Sequence, residues 1–315
     1  MTMTVERAED WARNGFVVVR ALVRTSLVDD LVREFEADIL PSRAALLRQP
    51  RFAREIGPRS FPHAYLAEHE LTANGYMRQG LKDPHVLDSH PSVAGLCLRL
   101  LCGPETQAVL ASLDVHHPTY AMYQSMLFDA NPGTEPHQDS FYIDSEPRGA
   151  LVGIWVALED IDARAGRFFV VKGSHLGNRP NLTLSNAEYL GGIADRFPAL
   201  ASAVVTPALS KGDAVFWHGD LVHGAHEATD VRYSRKSVTA HYVPTSMLGR
   251  GNARVFSNRI MRSAMGMPFA VTTKPDIAAR SVVAEEINTV SIDGRTIRFR
   301  CVETADGERA VMVEP

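Results

Sequence analysis

The sequence predicts a mainly β fold with N-terminal helices, in which short strands build a sandwich or barrel. Three observations lead there. Residues 1–118 show helical periodicity, residues 119–245 break into β-rich runs separated by Gly, Pro, Asp and Asn, and neither βαβ alternation nor an internal repeat is visible. At 315 residues the chain is long for one domain, yet barrels with helical additions reach this size. The expectation is a single domain over 1–315: a helical part (1–118), a β core (119–245) and a C-terminal extension (246–315).

The elements follow in order. Phe16 to Val23 (FVVVRALV) reads as a short strand. Ser26 with Asp29 suggests a capping-box-like start to a helix in which Leu27, Val28, Leu31, Val32 and Phe35 recur at helical spacing. A second clear helix has Pro91 in its first turn, an apolar run through Leu96, Leu98, Leu100 and Leu101, and Gly103-Pro104 as its stop. The β core is read from TYAMYQSMLF, ALVGIWVAL, GRFFVVKGSH, AVFWHGDLVHG and KSVTAHYV. In the extension, VSIDGRTIRFR places Asp293-Gly294 where a two-residue hairpin turn is expected.

Bulk properties exclude several classes of partner. A formal charge of −4 and a pI near 6.3 leave no electrostatic footprint for nucleic acid. No apolar run approaches the roughly 18 residues that span a bilayer, and the acidic start MTMTVERAEDWARNG is no secretory leader. Three cysteines (Cys97, Cys102, Cys301) without metal spacing read as reduced thiols, so a cytoplasmic location is expected. Oligomeric state is not legible.

Twelve histidines pose the question of which converge. In PGTEPHQDSFY, His137 and Asp139 are two apart, and on an extended segment such residues share a face. A third ligand is available among His218, His223 and His226 of WHGDLVHGAHE. Two imidazoles and one carboxylate on one face of iron(II) leave positions for an oxo-acid and dioxygen. His-x-Asp alone is weak, since His218-Gly219-Asp220 repeats it.

Four motifs in order add specificity: Pro132-Gly133 before His137-Gln138-Asp139, ARAGRFFVVKGSH ending in Gly173-Ser174-His175, Gly212-Asp213 followed by His223-Gly224, and Arg235 in SRKSVTAHY. With them, the stretch from Tyr123 to Tyr242 resembles the phytanoyl-CoA dioxygenase family of iron and 2-oxoglutarate enzymes, to which ectoine hydroxylases also belong. The resemblance implies a double-stranded β-helix (jelly-roll, cupin-like) core, Fe(II) as metal, 2-oxoglutarate as co-substrate and O2 as oxidant. It assigns the distal ligand to His223. It leaves His218 and His226 to ordinary hydrogen bonds or solvent, His175 to a turn, and His116 and His117 without a partner.

The same likeness implies further roles. Arg235, twelve residues after His223, would hold the distal carboxylate of 2-oxoglutarate, a task that suits a planar guanidinium; Arg232 is its rival. Gln124 and Trp155 match an amide and a tryptophan of the oxo-acid pocket, and Phe141 and Tyr142 are candidates for the substrate wall. The family often has Ser two residues after the distal His, where this chain has Ala225. An intact Asp139 favours hydroxylation or another two-electron oxidation over halogenation, because related halogenases carry Ala or Gly there. A cluster of Arg43, Arg48, Arg51, Arg54 and Arg59, with Arg78 beyond, reads as a solvated face or an anion-recognition patch. The rival reading is a zinc-binding or non-catalytic cupin-like barrel, for which Arg235 has no purpose.

Overall fold

The structure is a computed structural model that describes residues 2–42, 46–49, 64–66, 71–114, 116–131, 133–177, 179–248, 260–271, 282–292, 295–305 and 309–313. Helix α1 (Thr2–Asn14) leads into strand β1 (Phe16–Val19), shorter than FVVVRALV because Ala21 turns the chain at a φ of 47°. Helix α2 (Thr25–Glu34) buries Val28 and Leu31, with Phe35 buried just beyond it. Its start differs from expectation. The helix begins at Thr25, the N-cap is Arg24 without a side-chain bond, and Asp29 accepts from Lys211 Nζ at 2.7 Å.

Helices α3 (Pro91–Leu101) and α4 (Pro104–Leu113) meet at Gly103. Pro104 both stops the first and opens the second, since a first-turn residue needs no amide hydrogen. Cys97 and Cys102 are buried free thiols that desolvation pushes up to about 12; the Cys301 side chain lies outside the described residues. The N-terminal part is less helical than expected, for it also holds β2 (Leu46–Gln49), β3 (Ala64–Leu66) and β4 (Gly80–Lys82).

Every expected core run becomes a strand: β5 (Tyr120–Phe128), β6 (Val152–Ala157), β7 (Phe168–Val171), β9 (Ala214–His218) with β10 (His223–Ala225), and β11 (Ser237–Pro244). Between β7 and the two-residue β8 (Val204–Val205) stands an unexpected helix, α5 (Asn186–Leu200). Ser185 and Glu188 close a capping box at its start.

The core is a jelly roll. One sheet runs β1-β9-β6-β11-β5-β4-β2-β3, and a small sheet runs β10-β7-β8. Strand alternation sorts the large sheet's side chains. Val156, Val238, Ala214, Leu81 and Leu127 pack with the helices, whereas Trp155, Val215 and Trp217 pack with Phe168 and Val170 of the small sheet. Trp155 of β6 and Trp217 of β9 therefore belong to the second face.

Strands β12 (Ile260–Ala264) and β13 (Met267–Val271) form a hairpin beside β5. Strands β14 (Val282–Ile292), β15 (Arg295–Thr304) and β16 (Arg309–Val313) complete the extension. Ile292 pairs with Arg295, so the expected hairpin forms; its turn residues Asp293 and Gly294 lie outside the described residues. Among the described residues no helix is long and apolar enough to cross a membrane.

Candidate metal centre

After β9 the chain turns through Gly219-Asp220 and enters β10 at His223. His137 pairs with His223 in an isolated antiparallel bridge, each backbone N–H donating to the other's carbonyl at 2.9 Å. The bridge places the imidazole centroids 4.4 Å apart. Gln138 is extended (φ −118°, ψ 128°), so Asp139 returns to the same side, although it opens a short 3-10 turn and not a strand. Asp139 Oδ1 lies 3.5 Å from His137 Nε2, and Oδ2 lies 3.6 Å from His223 Nε2. The three side chains offer ligand atoms within 4.8 Å of one another, and no other such group of three occurs among the described residues.

The tautomers follow from the second nitrogens. His137 Nδ1 sits 2.8 Å from the Glu135 carbonyl and His223 Nδ1 3.0 Å from the Leu221 carbonyl. A carbonyl only accepts, so both Nδ1 atoms carry hydrogen, and Nε2 is the nitrogen that each neutral ring would offer a cation. Burial pushes the His223 imidazole down to about 4, against the pull of Asp139. At neutral pH it is the neutral ligand form. Burial alone would raise the Asp139 carboxyl, but His223, His241 and His137 outweigh it and hold it well below the usual carboxylate range.

Two residues that the sequence reading missed grip this carboxylate. Trp217 Nε1 donates to Asp139 Oδ2 at 2.8 Å, and His241 Nε2 stands 3.0 Å from the same oxygen. His241 was within reach of the sequence: it lies an even six residues after Arg235, on the strand that Arg235 leads into. Trp217 was not, because its bond depends on the cross-strand position of Gly153.

Arg235 is the most telling of the expected co-substrate residues. It is 2% exposed, and burial pushes its guanidinium down to about 10. Nη1 donates to the Gly166 carbonyl at 3.3 Å, while Nε is buried without a partner. The acids that bind its chain neighbours Ser234 and Lys236 are committed there. Glu159 accepts from Lys236 N (2.7 Å) and Ser234 Oγ (2.8 Å), and Asp129 takes Met77 N (2.7 Å) and lies 3.2 Å from Lys236 Nζ. No carboxylate pairs with Arg235 among the described residues.

Trp155 links this cation to the candidate metal ligands. Arg235 Cζ lies 5.9 Å from its ring, which stacks on Phe168 at 6.0 Å, and Phe168 lies 5.7 Å from His223. Gln124 reaches the site from β5, its amide engaged at both ends: Oε1 accepts from Lys82 Nζ, and Nε2 meets His241 Nδ1 at 3.0 Å. Tyr142 is 50% exposed with its ring 6.1 Å from that of His137, and its hydroxyl donates to Asn186 Oδ1 at the start of α5. Phe141 stacks on Tyr189 at 3.8 Å.

The competing residues stand apart. His218 packs against Trp11 and His175 and accepts from Asp220 N at 3.0 Å; His226 bonds Thr206 Oγ1 at 2.8 Å. His175 occupies the turn after β7 and reaches the Ala12 carbonyl. His117, expected without a partner, lies 3.0 Å from Asp114 Oδ2. Arg232 is exposed and bound to Asp230. Arg48, expected on a solvated face, is wholly buried against the Met77 sulfur, because β2 is an internal strand; Arg43, Arg51, Arg54 and Arg59 lie outside the described residues. Arg78 donates to the Leu71 carbonyl. Ala225 puts a methyl where a hydroxyl would stand, its N–H donating to the Thr134 carbonyl.

Comparison with known proteins converges on one description. The family model for phytanoyl-CoA dioxygenase (PhyH) matches residues 11–236. The mouse phytanoyl-CoA dioxygenase domain-containing protein 1 is 31% identical over 169 residues, 50% of this chain and 55% of that protein. The chain thus spans about half the length of that relative. The rat peroxisomal phytanoyl-CoA dioxygenase is 30% identical over 254 residues, 76% of this chain and 68% of that protein. Among solved structures, the epimerase SnoN in complex with Fe3+, alpha ketoglutarate and nogalamycin RO superposes with a TM-score of 0.57 at 19% identity, covering 77% of this chain and 84% of that one. At that identity the likeness speaks for the fold.

Proposed function

The chain belongs to the phytanoyl-CoA dioxygenase family, and on that premise we propose that it is an iron(II)- and 2-oxoglutarate-dependent dioxygenase acting on a C–H bond of a small molecule. His137 Nε2, Asp139 Oδ1 and His223 Nε2 would hold the metal. Two imidazoles and one carboxylate suit iron(II). When bound, iron would activate O2, whose four oxidising equivalents are shared between 2-oxoglutarate, converted into succinate and carbon dioxide, and the substrate. The chain's own residues bind and orient. Arg235 anchors the distal carboxylate, Trp155 and Phe168 form an apolar wall between that anchor and His223, and Tyr142 and Phe141 border the substrate's approach beside His137. C–H cleavage asks no protein group to act as acid or base.

One observation carries the reading. A guanidinium removed from water without a counter-ion costs several kcal/mol, and Arg235 bears that cost just before β11, 5.9 Å from the Trp155 ring, with no carboxylate paired to it among the described residues. A dicarboxylate that chelates the metal at one end supplies the missing charge at the other. A zinc site without a co-substrate has no use for this cation.

The test is anaerobic titration with iron(II) and then 2-oxoglutarate, following the weak visible charge-transfer band of a chelated oxo-acid. The wild type develops the band, His137→Ala and Asp139→Ala do not, and Arg235→Ala weakens 2-oxoglutarate far more than iron. A band that never forms, or that persists in both ligand variants, refutes the proposal.

A further inference from the structure

A third histidine stands at the centre without being one of its ligands, and its bonds run in one direction. Lys82, on β4, donates from Nζ to Gln124 Oε1. An ammonium has only donors, so this bond fixes the amide and turns its Nε2 hydrogens toward His241 Nδ1, 3.0 Å away. Receiving a hydrogen at Nδ1, the neutral ring carries its own at Nε2, which faces Asp139 Oδ2 at 3.0 Å. Trp217 Nε1 donates to the same oxygen at 2.8 Å. Both donors fall on Oδ2 and leave Oδ1 for a cation. Strand pairing sets the geometry: His241 and Gln124 face each other across β11 and β5, and Lys82 pairs with Met126 two residues along β5.

We propose that His241 is a positioning residue: with Trp217 it clamps Oδ2 of Asp139 so that the carboxylate binds metal through Oδ1 alone, and Lys82 and Gln124 hold its ring in the donating tautomer. The proposal rests on the reading of His137, Asp139 and His223 as a metal site. Partners of this kind orient a ligand, and their loss costs about ten- to a hundred-fold in metal affinity.

The test uses the metal alone. Co(II) is titrated anaerobically into the full-length protein and read by its visible ligand-field bands, with folding checked by circular dichroism. His241→Gln keeps a terminal amide donor near the place of Nε2, whereas His241→Asn is too short to reach. Expected are affinity within about three-fold of wild type and unshifted bands for the Gln variant, but about a ten-fold loss and shifted bands for the Asn variant. Gln124→Leu, which frees the His241 ring but leaves Trp217 in place, gives a smaller loss in the same direction. Equal affinity and spectra for the Gln and Asn variants, with wild type binding normally, overturn the role of His241 and leave the metal site standing. If the wild type takes up no Co(II), both ideas fall together.

Discussion

At the scale of single residues, the centre is a set of polar groups whose partners are decided by elimination. The imidazoles of His137 and His223 give their Nδ1 hydrogens to backbone carbonyls, and Asp139 offers one oxygen to Trp217 and His241. Arg235 breaks the pattern, with a buried Nε that meets nothing and a single bond to Gly166. This has a measurable consequence. Arg235→Met keeps the aliphatic stem against Trp155 and removes the unpaired charge, so the protein without co-substrate gains stability, about 1–4 kcal/mol by analogy with buried charges replaced by apolar side chains. Urea unfolding shows this as a higher midpoint at unchanged slope. The same variant loses about a hundred-fold in 2-oxoglutarate affinity, as expected when a buried partner of a carboxylate is removed, while Co(II) affinity stays within a few-fold. A lower midpoint with 2-oxoglutarate binding intact would instead make Arg235 a structural brace for the Gly166 turn.

At the scale of elements, the site depends on how β6, β9 and β11 pair. Gly153 on β6 faces Trp217 on β9, and a Cβ at Gly153 would lie 2.2 Å from the indole. Gly153→Ala therefore moves the ring that bonds Asp139. Expected are a loss of about 1–3 kcal/mol in stability from overpacking and weaker Co(II) binding than in a control such as Gly191→Ala, where the added methyl meets nothing within 4 Å. Calorimetric titration of both variants decides it, and equal affinities would show that Trp217 can shift freely. The legibility of the elements follows the same physics. Strands β5, β6, β7, β9 and β11 were readable because β-branched and aromatic runs end at turn residues. Helix α5 was missed although Ser185 and Glu188 announce its start, because its sequence sits among strands. Strands β2 to β4 span three or four residues each, too few for periodicity to register. His137 and Asp139 were readable from spacing together with the ordered motifs around them and His223 from family resemblance, whereas Trp217 joined the site only through a neighbour across the sheet.

For the molecule as a whole, histidines held neutral in the interior make stability depend on pH in a definite direction. His218 is the clearest case away from the candidate metal centre. Burial pushes it down to about 4; Asp220 and the Gly149 carbonyl pull upward, while His175 and Arg179 push it further down. An unfolded chain takes up this proton as pH falls through about 6.5, but the folded protein does not until pH approaches 4. Between those values the unfolded state binds more protons, so the contribution is complete above pH 6.5 and drains away as pH falls toward 4. Allowing for partial exposure of the ring, the loss is about 2 kcal/mol. His85, lowered chiefly by burial, acts in the same direction. Asp213 and Asp139 have lowered carboxyl values, so their contributions fail only at more acidic pH and do not confuse the window. Urea midpoints of the metal-free protein between pH 7.5 and 4.5 should therefore fall steadily in the wild type and less steeply in His218→Gln, which cannot take up a proton. Matching slopes in the two proteins would show that His218 charges without cost, and that the cluster it forms with Trp11 and His175 opens to water well before the fold is lost.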